Sequence, residues 1–399
     1  MVHLSTELVH AILRGVSHKP TLKQCRLVSK LFEAVVAPFI WQTLRIVHPS
    51  GSSSSQRIPF ETISKADHIS PYVKSIDFDA AIVKFPDPVL KDIPGMVDVF
   101  SHFHNFRNLE TLYLHFPRNS METLAVVEEE DEEFDFDGYD PYGDEHVTPE
   151  RKIRTEVFKK ISQIHLEHGF KVSTLVIQDL YPVPHTGMRA EGLPSFMKSL
   201  QKLVVSVSEV NADVETGADP TAAEFYSGFK ADLAPLLSAA MELRALEYEG
   251  DQFAHGFYDS HWDSFTFPHL ESLSLENVAI RNDSPAGSWP PVIHFILRHR
   301  ETLQQLHLGN CIIDSESPIP FAWREVFSVF KERMKNLRHF TFSPLPGREE
   351  DDPDCFRGYG WWDTEGGYSE YFTGDGEDPA DAMADRESLQ ALQMQLEER

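Results

Sequence analysis

One short pattern, in which three apolar residues are separated by two residues and then by one, occurs eight times between residues 73 and 342. An apolar residue at every second position is typical of a β-strand that buries one face. Repetition of such a unit along the chain indicates a fold built from stacked neighbours. The eight copies are Val73/Ile76/Phe78, Leu109/Leu112/Leu114, Val172/Leu175/Ile177, Leu200/Leu203/Val205, Leu243/Leu246/Tyr248, Leu270/Leu273/Leu275, Leu303/Leu306/Leu308 and Leu337/Phe340/Phe342.

Helical patterns lie between these predicted strands, at residues 150–168, 221–242, 291–300 and 321–334. A strand followed by a helix, repeated along the chain, predicts an α/β solenoid in which each unit buries its core against its neighbours. A conventional α/β fold is the alternative, because alternation of strands and helices fits both architectures.

The copy at residues 303–313, LQQLHLGNCII, matches the leucine-rich-repeat template as far as its Asn/Cys position. The body of the chain therefore resembles the leucine-rich-repeat family. In that family the Asn or Cys hydrogen-bonds the turn backbone inside the stack, which implies a structural role for Cys311. The copies are separated by about 27 to about 60 residues, more than the family's usual spacing of about 20–29. The resemblance thus implies degenerate repeats with long helices and insertions.

Residues 4–44 contain three further helical segments. Leu8 and Ile12 share one face of the first segment. The second helix is predicted to start at Thr21, and the third is predicted to break near Pro38. Three helices in some 40 residues cannot bury all of this apolar surface among themselves, so the segment is expected to present a partner surface. Alternatively, it only caps the end of the larger domain.

The order of residues in this segment resembles the F-box motif, over some 40 of the 399 residues. The matching elements are Leu4-x-x-Glu7-Leu8-x-x-x-Ile12-Leu13, Leu27-Val28-Ser29-Lys30-x-Phe32 and Phe39-Ile40-Trp41-x-x-Leu44. Two residues depart from the family pattern: Ser5 stands in place of the usual proline, and Thr21 in place of a frequent acidic residue. Serine is nevertheless a good helix N-cap. The resemblance implies binding to the Skp-type adaptor of a cullin (SCF) ubiquitin ligase through Leu4, Leu8, Ile12, Leu13, Leu27, Val28, Leu31, Phe32, Phe39 and Trp41.

The net charge of −27 is concentrated in two segments. Residues 126–150 hold 12 acidic and no basic residues, and residues 347–399 hold 16 acidic against 4 basic residues. The rest of the chain is therefore close to neutral, and it has no basic footprint for nucleic acid. There is also no apolar run of the roughly 18 residues that a membrane helix needs. We therefore expect no nucleic-acid partner, no membrane partner, and a cytoplasmic or nuclear location.

The acidic segment at residues 126–150 is predicted to be a solvated loop, because six consecutive acidic residues at 128–133 cannot pack together. A calcium loop formed by Asp135, Asp137 and Asp140 is the alternative. The glycine at position 138 comes too early for the EF-hand register.

The tail, residues 347–399, resembles loosely the glycine- and aromatic-rich tails of fungal F-box/leucine-rich-repeat proteins. Its aromatic content predicts that the tail covers the open end of the last repeat. An exposed aromatic site for a target protein is the alternative. The tail residues expected to pack are Phe356, Tyr359, Trp361 and Trp362, and Asp385 is predicted to cap a final helix that carries Leu389, Leu392 and Leu396 on one face.

The predicted organisation is an F-box-like module at residues 1–46, a degenerate repeat body at 47–346, and the tail at 347–399. No phosphate loop, nucleophile elbow or metal-binding helix motif is found, so no catalytic residue, cofactor or metal is predicted. His165, His168, His294 and His299 are expected to be satisfied or exposed. The predicted function is that of a substrate receptor, with a cullin scaffold and an unidentified target protein as partners. A non-degradative binding scaffold and an unrecognised α/β enzyme are the alternatives.

Overall fold

The apolar triplets form successive strands of one large sheet. The structure, a computed structural model, describes residues 5–16, 18–47, 60–80, 97–116, 149–182, 186–207, 220–250, 262, 264–282, 288–314, 321–343, 359–363, 367–370 and 379–399. Within these residues the large sheet has nine parallel strands, numbered here in chain order: β1 (Thr43–Val47), β2 (Ser75–Asp79), β3 (Thr111–His115), β4 (Thr174–Leu180), β5 (Lys202–Val207), β6 (Ala245–Glu249), β7 (Ser272–Glu276), β9 (Gln305–Gly309) and β11 (His339–Ser343). The strands lie side by side in the order in which they occur in the chain.

A second, smaller sheet contains the four remaining described strands: β8 (Ala279–Ile280), β10 (Ile312–Asp314), β12 (Tyr359–Asp363) and β13 (Gly367–Glu370). The first three are parallel, and β13 runs antiparallel to β12. Because β8 follows β7 and β10 follows β9 after a short turn, the two sheets are built from the same units.

The described helices are α1 (Thr6–Arg14), α2 (Lys19–Cys25), α3 (Lys30–Trp41), α4 (Phe60–Ser64), α5 (Pro149–His168), α6 (Leu193–Met197), α7 (Pro220–Ala239), α8 (Pro291–Arg298), α9 (Trp323–Arg333) and α10 (Pro379–Glu397). Short 3₁₀ helices occur at Ser70–Tyr72, Val99–Asn105 and Thr186–Arg189. The four helices predicted between the strands correspond to α5, α7, α8 and α9, so these predictions are confirmed. The protein is a mixed α/β structure with a mostly parallel sheet.

The core lies behind the large sheet, where every residue of the eight triplets is buried. Their middle residues are register partners from strand to strand, which places like side chains at the same depth throughout the sheet. Ile153, Val157 and Ile161 of α5 belong to the same cluster. Burial of each such side chain stabilises the fold by about 1.5–3 kcal/mol.

At the entry of each strand, one carbonyl accepts two N–H groups from the next unit. The Gln42 carbonyl accepts the N–H groups of Lys74 at 2.9 Å and Ser75 at 3.0 Å. Each acceptor follows the first apolar residue of a triplet, so both lone pairs of one oxygen are used where the chain turns into the sheet. The same pair of bonds is made by the carbonyls of Lys74, Glu110, Ser173, Gln201, Arg244, Glu271 and Gln304.

The order of the strands bears on the conventional α/β alternative. A doubly wound sheet reverses its strand order at a switch point, where its ligand binds. In the part of the chain that the structure describes, the order of the nine strands never reverses. This topology therefore differs from that of a doubly wound fold.

Strand β1 places the boundary between the helical module and the sheet before residue 46, the predicted position. Trp41, Leu44 and Ile46 have the same spacing as the triplets, and Leu44 is the register partner of Ile76 in β2. Residues 43–46 therefore belong to the sheet, and the helical module ends at Gln42. This ninth occurrence of the spacing was not predicted, because the same residues also match the F-box-like pattern.

Two helix boundaries in the N-terminal module differ from prediction. Helix α2 begins at Lys19 and not at Thr21, because Pro20 is well tolerated in a first helical turn. Helix α3 continues through Pro38 to Trp41. An interior proline costs roughly 3 kcal/mol, and burial of Val36 and Ile40 on either side of it offsets this cost.

The turns after β7 and β9 have the same conformation. Asn277 and Asn310, the residues that follow these strands, have φ angles of 54° and 50°. Asparagine tolerates this left-handed region better than most residues. The next residue in the second turn is Cys311, whose buried Sγ donates to the Leu275 carbonyl at 3.4 Å. Burial raises the pKa of Cys311 to about 12, so the predicted structural role is confirmed.

The tail packs on the last unit of the sheet. Leu392 of α10 is buried in the main core, and Leu389, Leu396 and Tyr359 pack against that core. Of the four tail residues predicted to pack, the prediction is confirmed for Tyr359, and the predicted apolar face of the final helix, Leu389, Leu392 and Leu396, lies against the core. Phe356 lies outside the described residues, as do the side chains of Trp361 and Trp362 and the proposed acidic loop and calcium ligands at 126–148.

Asp385 has a different role from the one predicted. It lies inside α10 and does not cap that helix. Its carboxylate accepts the N–H of Arg324, at 2.7 Å, in the first turn of α9, and also the Tyr359 hydroxyl proton at 2.5 Å. The Tyr359 hydroxyl in turn accepts the Trp323 N–H at 3.1 Å. Asp385 therefore satisfies N–H groups of a helix that lies about 60 residues earlier in the chain.

The opposite end of α9 is satisfied by Arg399. Its guanidinium donates to the carbonyls of Met334 at 3.1 Å, Lys335 at 3.0 Å and Leu337 at 3.3 Å. A carboxylate at the N-terminus and a cation at the C-terminus both oppose the partial charges of the α9 dipole. The tail thus holds the last helix of the body at both ends.

Three of the four histidines noted in the sequence, His165, His168 and His299, make local contacts, and the fourth, His294, is exposed. His165 Nδ1 lies 2.7 Å from the Phe170 carbonyl, and His168 stacks on His104 with ring centroids 3.9 Å apart. His299 is buried between two backbone groups: its Nε2 accepts the Phe267 N–H at 3.0 Å, and its Nδ1 lies 2.8 Å from the Phe295 carbonyl. This arrangement requires the neutral ring with the proton on Nδ1.

We expect His299 to make folding sensitive to acid. Burial lowers the pKa of His299 below its ordinary value of 6.5, so below that pH the unfolded chain binds the proton more readily and stability falls. In urea titrations between about pH 7.5 and pH 5.5, the loss of unfolding free energy should be smaller in His299→Asn than in the wild type. The control is His294→Asn, which changes an exposed histidine of α8. An unchanged pH dependence in His299→Asn would contradict the assignment.

We expect Asp385→Ala to lower the free energy of unfolding by about 1–3 kcal/mol, because N–H groups of α9 lose their acceptor. Tyr359→Phe should cost less, and the two changes should be non-additive because the side chains are hydrogen-bonded to each other. Glu387→Ala, at an exposed position of the same helix, is the matched control. If Asp385→Ala and Glu387→Ala lower the stability equally in thermal unfolding, the interpretation that Asp385 stabilises α9 is wrong.

Candidate functional site

The three N-terminal helices form a module with a core of its own. Its buried residues come from all three helices: Val9, Leu13, Leu22, Val35, Val36 and Ile40. Serine side chains cap two of the helices, since Ser5 accepts the Leu8 N–H and Ser29 accepts the Phe32 N–H, each at 3.3 Å. Ser5 is therefore the N-cap of α1, a position that serine favours. Trp41 packs against both this small core and the core of the large sheet.

Four large apolar side chains of this module remain exposed. The exposed fractions are 49% for Leu8 and 51% for Ile12, both on α1, and 79% for Leu27 and 69% for Val28, which follow α2. Within the described chain only five other large apolar residues are comparably exposed, and they are spread over the rest of the sequence. A concentration of exposed apolar side chains on a small module is typical of a protein-binding surface.

The remaining predicted adaptor contacts divide into three groups. Leu31, Phe32, Phe39 and Trp41 are half-buried and pack against the core of the module. Leu13 differs from the other predicted contacts, because its side chain is only 1% exposed and belongs to the core of the module. Leu4 lies outside the described residues.

The second candidate surface is the side of the large sheet that faces away from the triplets. We call it the open face, and we define it by the residues that alternate with the triplet residues along each strand. These residues keep the same register as the triplets. Most of these are half-buried or exposed, whereas Asp79, Val176 and Gly309 are buried. The central row runs through Arg45, Asp77, Tyr113, Val176, Val204, Glu247, Ser274, His307 and Thr341.

Ion pairs link several strands across the open face. Arg45 pairs with Asp79 and lies 3.6 Å from Asp77, and His115 Nε2 lies 3.1 Å from Asp77. The hydrogen bond to Asp79 raises the pKa of Arg45. Arg45 is thus matched by two carboxylates and leaves no excess positive charge at this end of the sheet.

The other half of the open face carries three carboxylates, on β6 and β7. Glu247 lies 2.5 Å from Lys202, and Glu276 lies 3.5 Å from His307. Glu249, on the same side of β6 as Glu247, is exposed. Periodicity could not single out these residues, because a search for buried strands uses only the apolar positions. The signal was present as acidic residues at the alternate positions.

Metal ligands and polar cavities, the features of many enzyme active sites, were sought among the described residues. No group of three or more His, Cys, Asp or Glu residues with metal-site geometry occurs among them. A cavity of about 10 Å³ between β4, β5 and the neighbouring helices is lined by apolar side chains such as Phe158, Met188 and Leu233. That cavity therefore offers no polar group that could act on a substrate.

Comparison with known proteins provides no family assignment. No protein-family model matches the chain, and no similar protein is found among curated proteins. In the residues that the structure describes, no helix is both long enough and apolar enough to cross a membrane.

Proposed function

We propose that this protein is a substrate receptor of a cullin-type ubiquitin ligase. The observation that carries the proposal is the set of exposed apolar side chains, Leu8, Ile12, Leu27 and Val28, on a helical module that has its own core. The residue order of this module resembles the F-box motif. In the proposal the module binds a Skp-type adaptor, which joins it to the cullin scaffold.

The body would then be an irregular leucine-rich-repeat solenoid that holds the target protein. Three features support this part of the proposal: the strands follow the order of the chain, the apolar residues stay in register, and the strand-entry hydrogen bonds recur. Each is expected when one structural unit is repeated with insertions of variable length.

A receptor of this kind requires no catalytic residue. Its contribution is proximity, because a target held on the body meets the ubiquitin-transfer machinery at a raised effective concentration. A binding scaffold that does not cause degradation would use the same open face, so target turnover distinguishes the two functions.

We expect Ile12→Asp to abolish binding to a purified Skp-type adaptor. An aspartate at a contact that becomes buried costs several kcal/mol, and since the wild-type side chain is half exposed the module should still fold. The matched control is Leu166→Asp, which changes a similarly exposed residue (58%) on α5. Isothermal titration calorimetry provides the affinities. Undiminished binding by Ile12→Asp, or no binding by the wild type, would remove the proposal.

The same variant separates a degradative receptor from a scaffold. Deletion of residues 4–44 is unsuitable, because Trp41 and Leu44 belong to the core of the sheet. In cells, a target bound by the body should be stabilised when Ile12→Asp replaces the wild type and not when Leu166→Asp does. Equal target lifetimes in all three cases, with adaptor binding intact in the wild type, would favour the scaffold.

A further inference from the structure

The open face combines an apolar strip with an acidic region on β6 and β7. Tyr113, Val176 and Val204 are register partners on β3, β4 and β5 and form the strip at the middle of the sheet, where Tyr113 and Val204 are half-buried and Val176 is buried. The next strands carry the carboxylates of Glu247 and Glu249 on β6, and of Glu276 on β7. The two regions are adjacent, since β5 pairs directly with β6.

Two of these carboxylates are placed at a cost in stability. Glu249 and Glu276 are direct register partners on neighbouring parallel strands and lie on the same face. Strands are about 4.8 Å apart, and like charges opposite each other destabilise a sheet. Lys202 neutralises Glu247 in part, and Glu276 lies 3.5 Å from His307 Nε2, whereas Glu249 has no ion pair among the described residues. Packing of the sheet does not require this arrangement.

We propose that the open face binds an extended basic segment of the target protein. A large apolar residue of that segment would cover the Tyr113–Val176–Val204 strip, and lysine or arginine residues would face Glu249 and Glu276. Two to three strand spacings separate the regions, about 10–15 Å, which an extended chain spans in about three or four residues. This inference rests on the proposed function, because it names the class of target that the repeat body takes.

Charge complementarity selects this occupant over an acidic segment. Arg45 is matched by Asp77 and Asp79, and Lys202 is matched by Glu247. These two cations therefore offer no excess positive charge on the open face. Glu249 and Glu276 favour a cationic partner and repel an anionic one.

The first test uses the full chain and an array of immobilised peptides of random sequence. We expect the bound peptides to be enriched in lysine and arginine within about four positions of a large apolar residue. Raising the salt from about 0.1 M to about 1 M should reduce this binding, because the Debye length falls from about 10 Å to about 3 Å. Enrichment in acidic residues, or no enrichment, overturns the proposal.

The second test compares two charge reversals with the most strongly bound array peptide as the probe. Glu249→Lys should weaken binding by about ten-fold or more. Glu332→Lys, which makes the same charge change at an exposed position of α9, should leave it unchanged. Equal affinities for the two variants in fluorescence polarisation overturn the proposal.

Stability provides an independent readout of Glu249. Glu249→Gln removes the like-charge pair, so it should weaken peptide binding without lowering the melting temperature. A lowered melting temperature would mean that Glu249 serves the fold, and the proposal would then fail. Adaptor binding by Glu249→Lys should equal that of the wild type. If the wild type binds the peptide but not the adaptor, only the proposed function is wrong.

Discussion

The architecture depends on the doubly accepting carbonyl at the entry of each strand. Parallel strands contact one another only if each unit begins at the same height, and a slip of one residue would turn the triplets towards solvent. The eight strand-entry carbonyls, of which Gln42 is the first and Gln304 the last, prevent that slip. Each accepts two consecutive N–H groups of the following unit. Because this bond pair uses only backbone atoms, it tolerates changes of side chain and of loop length. Units separated by 27 residues and units separated by about 60 therefore join the same sheet.

Because of this constraint, the two sides of the sheet have different roles. The apolar side and the backbone determine the fold, so most of the alternate side chains on the open face are not needed for packing; the buried Val176 is an exception. A like-charge pair such as Glu249 and Glu276 can be accommodated there because burial of Leu246, Tyr248 and Leu275 behind it stabilises the same strands. The two candidate surfaces of the protein, the module and the open face, both lie where the stability of the sheet is supplied by other residues.

The strands were predictable because burial imposes a strict spacing of apolar residues; all nine strands in the large sheet follow it, and eight of them were predicted from it. The ninth, β1, has the same spacing at Trp41, Leu44 and Ile46, but those residues also match the F-box-like pattern. Capping was less predictable, because Asp385 was assigned from its local position whereas its carboxylate binds the backbone of α9. The open face could not be located from periodicity, since exposed positions of a strand accept almost any residue.

Trp41 has a consequence for the geometry of any complex. It is the last residue of α3, it packs against both cores, and the next residue, Gln42, makes the first strand-entry bonds. No flexible tether separates the module from the sheet, so a protein docked on one is held at a set orientation to a protein docked on the other. For a receptor of the proposed kind, which lysines of a target are modified would then depend on how the target lies on the sheet. A flexible linker inserted at Gln42 would let the sheet and its target move relative to the module. The choice of lysines would then be less selective.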